Sequence, residues 1–516
     1  MREEFKRSLT LLLVMALTLA TFSRATPVGA QGTPQVKVYI DVEDNGNATV
    51  TIVFRAAGRA SFSFTLPKFE NYSVCSSYGN YRIEDKPSSA YFYYNSTLEL
   101  APGDNGTSTL SVCYKFPYAS LLSDNQGWFM SPMLVASPPV EIEVSVRIPN
   151  LASVTLESPR MIRLEGAGYR VYRLSPGAQQ LIPGRVVIEY QTARRVQTAN
   201  FSRTGEAVLT VVSPVYYRSL SEKILDIASK AYKRLRNLTG VTVDQVTFEL
   251  YLPMESMGGI SALGFVMGED INAGGRGPIM LNLALIRYAP GYLETTVIHE
   301  MVHVFLGKAG VEANAQTRWF HEGLAQYLSI VVAQEIGVDV SDYAEELHNA
   351  SSALYEYASG NFSFIQVWRA DPNLVGDAYL ASFYIVYNVS SSFGGERYIA
   401  QLFEAIRSRG SVKTTNDIVS VMSAAARSNL APLFRRFGFT GVQDWVQQND
   451  SAAKAFGSVK QNGFSLIVLL ISLLIALITY IVNNRVQREI EVAKGRSVFE
   501  EKEDAYSFKT YSTFVT

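Results

Sequence analysis

His299 and His303 stand four residues apart in the stretch His299-Glu300-Met301-Val302-His303, and this spacing constrains the chain more than any other feature. On a helix, residues four apart are turned by only about 40° and stacked one turn above the other, so both imidazoles can reach one point. That point suits a metal ion. Glu300 leaves the same helix beside it, placed to handle a proton without being a ligand. A catalytic zinc takes three protein ligands and keeps a fourth position open. Glu322, in Trp319-Phe320-His321-Glu322-Gly323 on a second predicted helix, is the natural third. His321 is its neighbour, but adjacent residues on a helix point about 100° apart and only one can face the metal. A three-histidine site of the extended kind fails because Leu306 and Ala309 stand where Gly and the third His would be. The chain has only 4 His, so two of them falling by chance at this spacing is improbable, and the plain reading of two ordinary histidines weakens further once Glu322 is added.

These residues carry a resemblance. His299-Glu300-x-x-His303, 18 residues, then Glu322 inside Trp-Phe-His-Glu-Gly-Leu-Ala-Gln-Tyr is similar to the gluzincin metallopeptidases, the aminopeptidase N-like and glycyl aminopeptidase-like group. In that group the Glu of the second motif is the third zinc ligand, which implies this role for Glu322. Ala378-Tyr379-Leu380-Ala381-Ser382-Phe383, running to Phe393-Gly394-Gly395, resembles the segment whose Tyr stabilises the tetrahedral intermediate, and the resemblance implies that role for Tyr379. Tyr384 and Tyr387, on the same predicted helical segment, read as packing. The resemblance covers Pro290 to Glu396. Aminopeptidase N-like members carry a Gly-x-Met-Glu-Asn strand before the zinc helix, whose Glu binds the free amine of the substrate. At the corresponding place this chain has Gly274-Gly275-Arg276-Gly277-Pro278, with no carboxylate, and Glu255 and Glu269 nearby lack the motif. The expectation therefore leans towards cleavage within peptides.

The rest of the chain reads as α+β. Residues 1–30 have a basic start, an apolar run and small residues at the end, the pattern of a signal peptide. From 31 to 200 the pattern has period two: Val36, Val38, Ile40 and Val42 alternate with polar residues, and Asp44-Asn45-Gly46-Asn47 reads as a hairpin turn. Similar runs at 90–100, 140–148 and 186–190 predict an N-terminal β domain, sandwich-like or saddle-like. The catalytic domain is expected over 213–455. It opens with an amphipathic helix capped by Ser219 or Ser221 and ended by Gly240, followed by strands at 246–252, 262–267 and 279–283, the zinc helix, and mainly helices to about Val446.

Cys75 and Cys113 are the 2 cysteines. They read most simply as one disulfide, with two buried thiols as the alternative. Asn-x-Ser/Thr sequons at Asn47, Asn71, Asn95, Asn105, Asn200, Asn237, Asn349, Asn361, Asn388 and Asn449 fit a glycosylated extracytoplasmic body. After a linker at 456–463, the uncharged run 464–482 predicts one transmembrane helix. Arg485, Arg488, Lys494 and Arg496 follow it, so the tail 483–516 is expected in the cytoplasm and the body outside the cell membrane. A net charge of −1 without a basic cluster speaks against nucleic acid as a partner.

Together these readings predict a membrane-anchored zinc metallopeptidase acting on peptide or protein substrates. Zn2+ would sit on His299, His303 and Glu322, with Glu300 as general base and Tyr379 as oxyanion donor. The alternative is a catalytically silent cell-surface binding or scaffold protein that keeps a peptidase fold.

Overall fold

The computed structural model describes residues 34–175, 179–368 and 374–446. Period-two sequence becomes sheet as expected. In Gln35–Val42 the residues Val36, Val38, Ile40 and Val42 are buried on one face, and the partner strand Ala48–Ala57 buries Val50, Ile52 and Phe54 opposite them. The turn between them needs Gly46 at φ +88°, where a Cβ would lie 2.1 Å from the Ser120 carbonyl oxygen. This hairpin sits inside a seven-stranded sheet. One neighbour, Ile142–Arg147, runs parallel to Gln35–Val42, and Thr107–Phe116 pairs antiparallel with Ala48–Ala57. A four-stranded sheet and a three-stranded sheet complete the β region. The disulfide is Cys75–Cys113, joining the edge strand Ser73–Tyr78 to Thr107–Phe116.

A five-stranded sheet begins the second region. Its order is Thr198–Thr204, Val208–Pro214, Gln245–Tyr251, Ile279–Asn282, Gly264–Val266, with the last strand antiparallel to its neighbour and at the edge. Two helices are inserted between its strands, α1 (Arg218–Thr239) and α2 (Gly268–Asn272), and the others follow it: α3 (Tyr292–Ala309), α4 (Arg318–Glu335), α5 (Ser341–Tyr357), α6 (Val375–Ser392), α7 (Glu396–Arg409), α8 (Thr415–Ala426) and α9 (Ala431–Arg436).

The stripe Leu220, Ile224, Ile227, Ala231 and Leu235 makes α1 amphipathic, and Gly240 ends it in the left-handed region at φ 63°. Its start differs from expectation. The 3-10 turn Val215–Tyr217 runs straight into Arg218, so no side chain caps the helix, and Ser221 is buried inside it with Oγ 2.7 Å from Ser213 Oγ.

α3 has little polar surface to show and is buried nearly all round, between the sheet, α1 and α4. The main core runs through all these elements and takes in Leu121, Trp128, Met130 and Val187 from the β region, so the two regions share apolar packing.

The expected transmembrane helix, and the single-pass cell-membrane placement built on it, are corrected here. Among the described residues no helix is long and apolar enough to cross a membrane. The longer helices spend their apolar residues on one another and on the sheet, and α3 and α4 also bury His299, Glu300, His321 and Glu322. The fold class is a multi-sheet β region followed by a helix-rich region. The stretch 464–482 lies outside the described residues, as do 1–30, the linker 456–463, the tail 483–516 and Asn449.

Candidate metal centre

Gly291, at φ 93°, turns the chain into α3, and its backbone N–H donates to Glu294 Oε2 at 3.1 Å. Glu294 also pairs with Lys223 of α1 at 2.7 Å, which fixes the entry of the helix. Two turns later His299 and His303 lie on one face with ring centres 4.8 Å apart. α4 runs alongside and brings Glu322 to both. Glu322 Oε2 lies 3.2 Å from His299 Nε2 and 3.6 Å from His303 Nε2.

Donors at about 2.0–2.1 Å from a tetrahedral zinc are roughly 3.3 Å from one another, so this spacing fits a metal ion. All three side chains are buried, and their donor atoms lie within 4.8 Å of one another. The cluster can bind a metal ion. Charge agrees with geometry. Burial alone would raise the Glu322 carboxyl, but the His303 ring and hydrogen bonds with both histidines bring it down to about 2. Burial pushes His303 below its ordinary value, only partly offset by Glu322. An ionised carboxylate beside neutral imidazole is the protonation pattern that metal ligands need.

Glu300 lies between the cluster and the edge strand. It is 1% exposed, and neither carboxylate oxygen has a hydrogen-bond partner among the described residues. Burial first, then the charge of Glu322, pushes its carboxyl well above the ordinary range. The strand Gly264–Val266 passes so close that a Cβ at Gly264 would lie 3.0 Å from Glu300 Cγ and 3.1 Å from its Oε1. This is the strand expected at 262–267, whereas the resemblance put the counterpart of the family's amine-binding motif at Gly274–Pro278. That loop instead packs on another side of α3, where a Cβ at Gly275 would lie 2.6 Å from the Val304 carbonyl oxygen.

His321 is fully buried and is not one of the three converging donors. Its ring lies 5.6 Å from that of His303, and burial together with His303 holds it down to about 3. Tyr379 is buried on α6, edge-on to Trp368 with ring centres 5.1 Å apart. The Trp368 ring also carries the Arg318 guanidinium at 4.9 Å, and Arg318 Nε is 3.8 Å from Glu322 Oε1. Tyr379 is thus linked to the third candidate ligand through Trp368 and Arg318. α6 also approaches α4 closely, because a Cβ at Gly323 would meet the Ser382 carbonyl oxygen at 2.4 Å.

Four further residues that shape the site, Gly264, Asn282, Arg318 and Trp368, escaped the sequence reading. Asn282 carried a usable signal, a polar residue ending an apolar strand. Its Oδ1 accepts from Ala284 N at 2.9 Å, and its Nδ2 donates to the carbonyls of Gly259 and Ala262, which pins the loop leading to Gly264. No protein-family model matches the chain, and no curated protein matches it.

Proposed function

We propose that this chain is a gluzincin-like zinc metallopeptidase, with the ion held by His299, His303 and Glu322. One observation carries the reading: a buried His–His–Glu donor set lies directly beside a buried carboxylate, Glu300, that has no hydrogen-bond partner among the described residues. A carboxylate so enclosed is costly unless it meets a ligand or a proton.

Zinc, when bound, would supply Lewis-acid activation of water and of the scissile carbonyl near neutral pH. Glu300 would take the proton of the attacking water and pass it to the leaving amine. The Tyr379 phenol would donate to the carbonyl oxygen as it gains charge, the role implied by the family resemblance. The strand Gly264–Val266, last in its sheet, gives an extended peptide backbone groups to lie against beside Glu300. No carboxylate stands in Gly264-Phe265-Val266 to hold a free α-amine, which favours cleavage within a chain.

The first test separates base from ligands. Glu300→Gln keeps metal content near one ion per chain and abolishes hydrolysis, whereas His303→Ala and Glu322→Gln lose both. Metal analysis of the purified variants decides it. Loss of metal from Glu300→Gln as complete as from His303→Ala would overturn the assignment. Product mass spectrometry on a mixed peptide library then reads the mode of cleavage. Release of single residues from free-amine peptides, stopped by N-acetylation, would reject internal cleavage.

A further inference from the structure

At the junction of the β region and the second region, two arginines stand together. Arg287 ends the 3-10 turn Leu283–Arg287 that follows the strand Ile279–Asn282. Its guanidinium lies 4.8 Å from the ring centre of Phe116 and 5.9 Å from that of Trp128. Nη2 donates to the Met130 carbonyl at 3.2 Å. Nη1 is enclosed and has no hydrogen-bond partner among the described residues.

Arg185, just before the strand Val187–Val196, donates Nη1 to the Ser131 carbonyl at 2.8 Å and lies 5.7 Å from the Tyr93 ring. The two guanidiniums therefore hang from consecutive carbonyls. Neither is in an ion pair with a carboxylate among the described residues, and the charge of Arg185 adds to burial in pulling the Arg287 guanidinium down to about 9. Tyr93 accepts from Met133 N at 3.1 Å, which leaves its own proton to give.

Like charges in a partly dry setting repel, and each also loses hydration. Aromatic faces offset some of this cost. They do not satisfy an enclosed N–H. Guanidinium forks bind planar or tetrahedral oxyanions through paired hydrogen bonds, and an anion between them would relieve the repulsion and the unmet donor together.

We propose that Arg185 and Arg287, with the Tyr93 hydroxyl, form a binding site for a small oxyanion at this junction: an inorganic anion of phosphate size or the terminal carboxylate of a peptide. The site is separate from the metal centre. It does not depend on the peptidase reading, because its test measures binding and not turnover.

The test is the melting temperature of the full chain titrated with inorganic phosphate, and in parallel with an N-acetylated dipeptide carrying either a free or an amidated C-terminus. Wild type shows a saturable rise with phosphate or the free acid. At a given concentration the rise is at least halved in Arg287→Gln and in Arg185→Gln, and it persists in Arg82→Gln, a surface arginine. Should Arg287→Gln fail to fold, Arg185→Gln carries the comparison.

A rise with phosphate alone assigns the site to inorganic anions, and one with the free acid alone assigns it to peptide termini. A wild-type protein with no saturable rise overturns the site without any variant. So does a rise that survives both substitutions, as it would for an anion held at His299, His303 and Glu322, or an equal response to the amidated dipeptide.

Discussion

At the residue scale the proposed chemistry depends on one close approach and one hydroxyl. Gly264 leaves room for the Glu300 carboxylate, and a methyl group there would crowd both Glu300 and the Met280 carbonyl oxygen, 3.1 Å from the added atom. Gly264→Ala should shift Glu300 by a few tenths of an ångström while leaving the three donors in place. Metal content then stays near wild type and turnover falls on the order of tenfold, since misplacing a reacting group by about 1 Å can cost a hundredfold. Unchanged turnover would show that Glu300 is not held by this strand. Tyr379 makes a different kind of prediction. Tyr379→Phe keeps the ring against Trp368 and removes only the hydroxyl, so packing should be little changed. If the phenol donates to the oxyanion, turnover drops by about a hundredfold to a thousandfold, or about 2.7–4 kcal/mol of barrier. Wild-type turnover would remove Tyr379 from the mechanism, and the same drop from Tyr384→Phe or Tyr387→Phe would move the role to another turn of α6.

At the element scale, helix ends can be tested independently of the chemistry. α8 is held at its start by a reciprocal pair: Thr414 Oγ1 accepts from Asp417 N at 3.1 Å, and Asp417 Oδ2 accepts from Thr414 N at 3.0 Å and from Lys413 N at 3.1 Å. Burial would raise the Asp417 carboxyl, but these backbone donors and Arg409 outweigh it and hold the group below its ordinary value. A depressed carboxylate stabilises the fold above its unfolded pKa of about 3.9, and that contribution is lost as the pH falls through the folded value. Asp417→Asn should therefore cost about 1 kcal/mol at pH 7, read as a lower melting temperature, and the gap should close as the pH falls through the depressed folded-state value. A gap of constant size down to pH 2 would mean that the carboxylate charge plays no part.

Some elements could be read from sequence, for physical reasons that the structure makes plain. Strands with one buried face, such as Gln35–Val42, and α1 with its single apolar stripe carry their periodicity openly. Asn80–Lys86 does not. It is exposed on both faces apart from half-buried Ile83, so nothing in its composition alternates. The strand expected at 262–267 forms over Gly264–Val266, but its approach to Glu300 is set by tertiary packing and no local pattern encodes it. The convergence of His299 and His303 was legible because helix geometry alone nearly dictates it, whereas Glu322, on another helix, was expected from the need for a third ligand and from the family resemblance. Arg318 and Trp368 were not, because their contact joins parts of the chain whose closeness no local pattern encodes.

At the scale of the whole molecule, the question is how far the β region supports the metal centre. Leu121, Trp128, Met130 and Val187 belong to the same apolar core as α1, α3 and α4, and Tyr217, next to α1, accepts from Leu122 N at 2.7 Å. Trp128 is 2% exposed, so Trp128→Ala should cost about 3–5 kcal/mol. Because the loss falls in the shared core, metal retention and turnover should weaken with it. The disulfide acts elsewhere. It fastens an edge strand of the seven-stranded sheet, and none of its immediate neighbours belongs to the shared core. Closing a loop of 38 residues restricts the unfolded chain by up to about 4 kcal/mol on an entropic account. Replacing Cys75 and Cys113 together by Ser should therefore lower the melting temperature while metal content and turnover at 25 °C remain as in wild type. Chelator competition on both variants tells the two cases apart. If the cysteine variant released metal as readily as Trp128→Ala, stability would be pooled across the whole chain, and the edge of the β region would support the metal centre as directly as the shared core does.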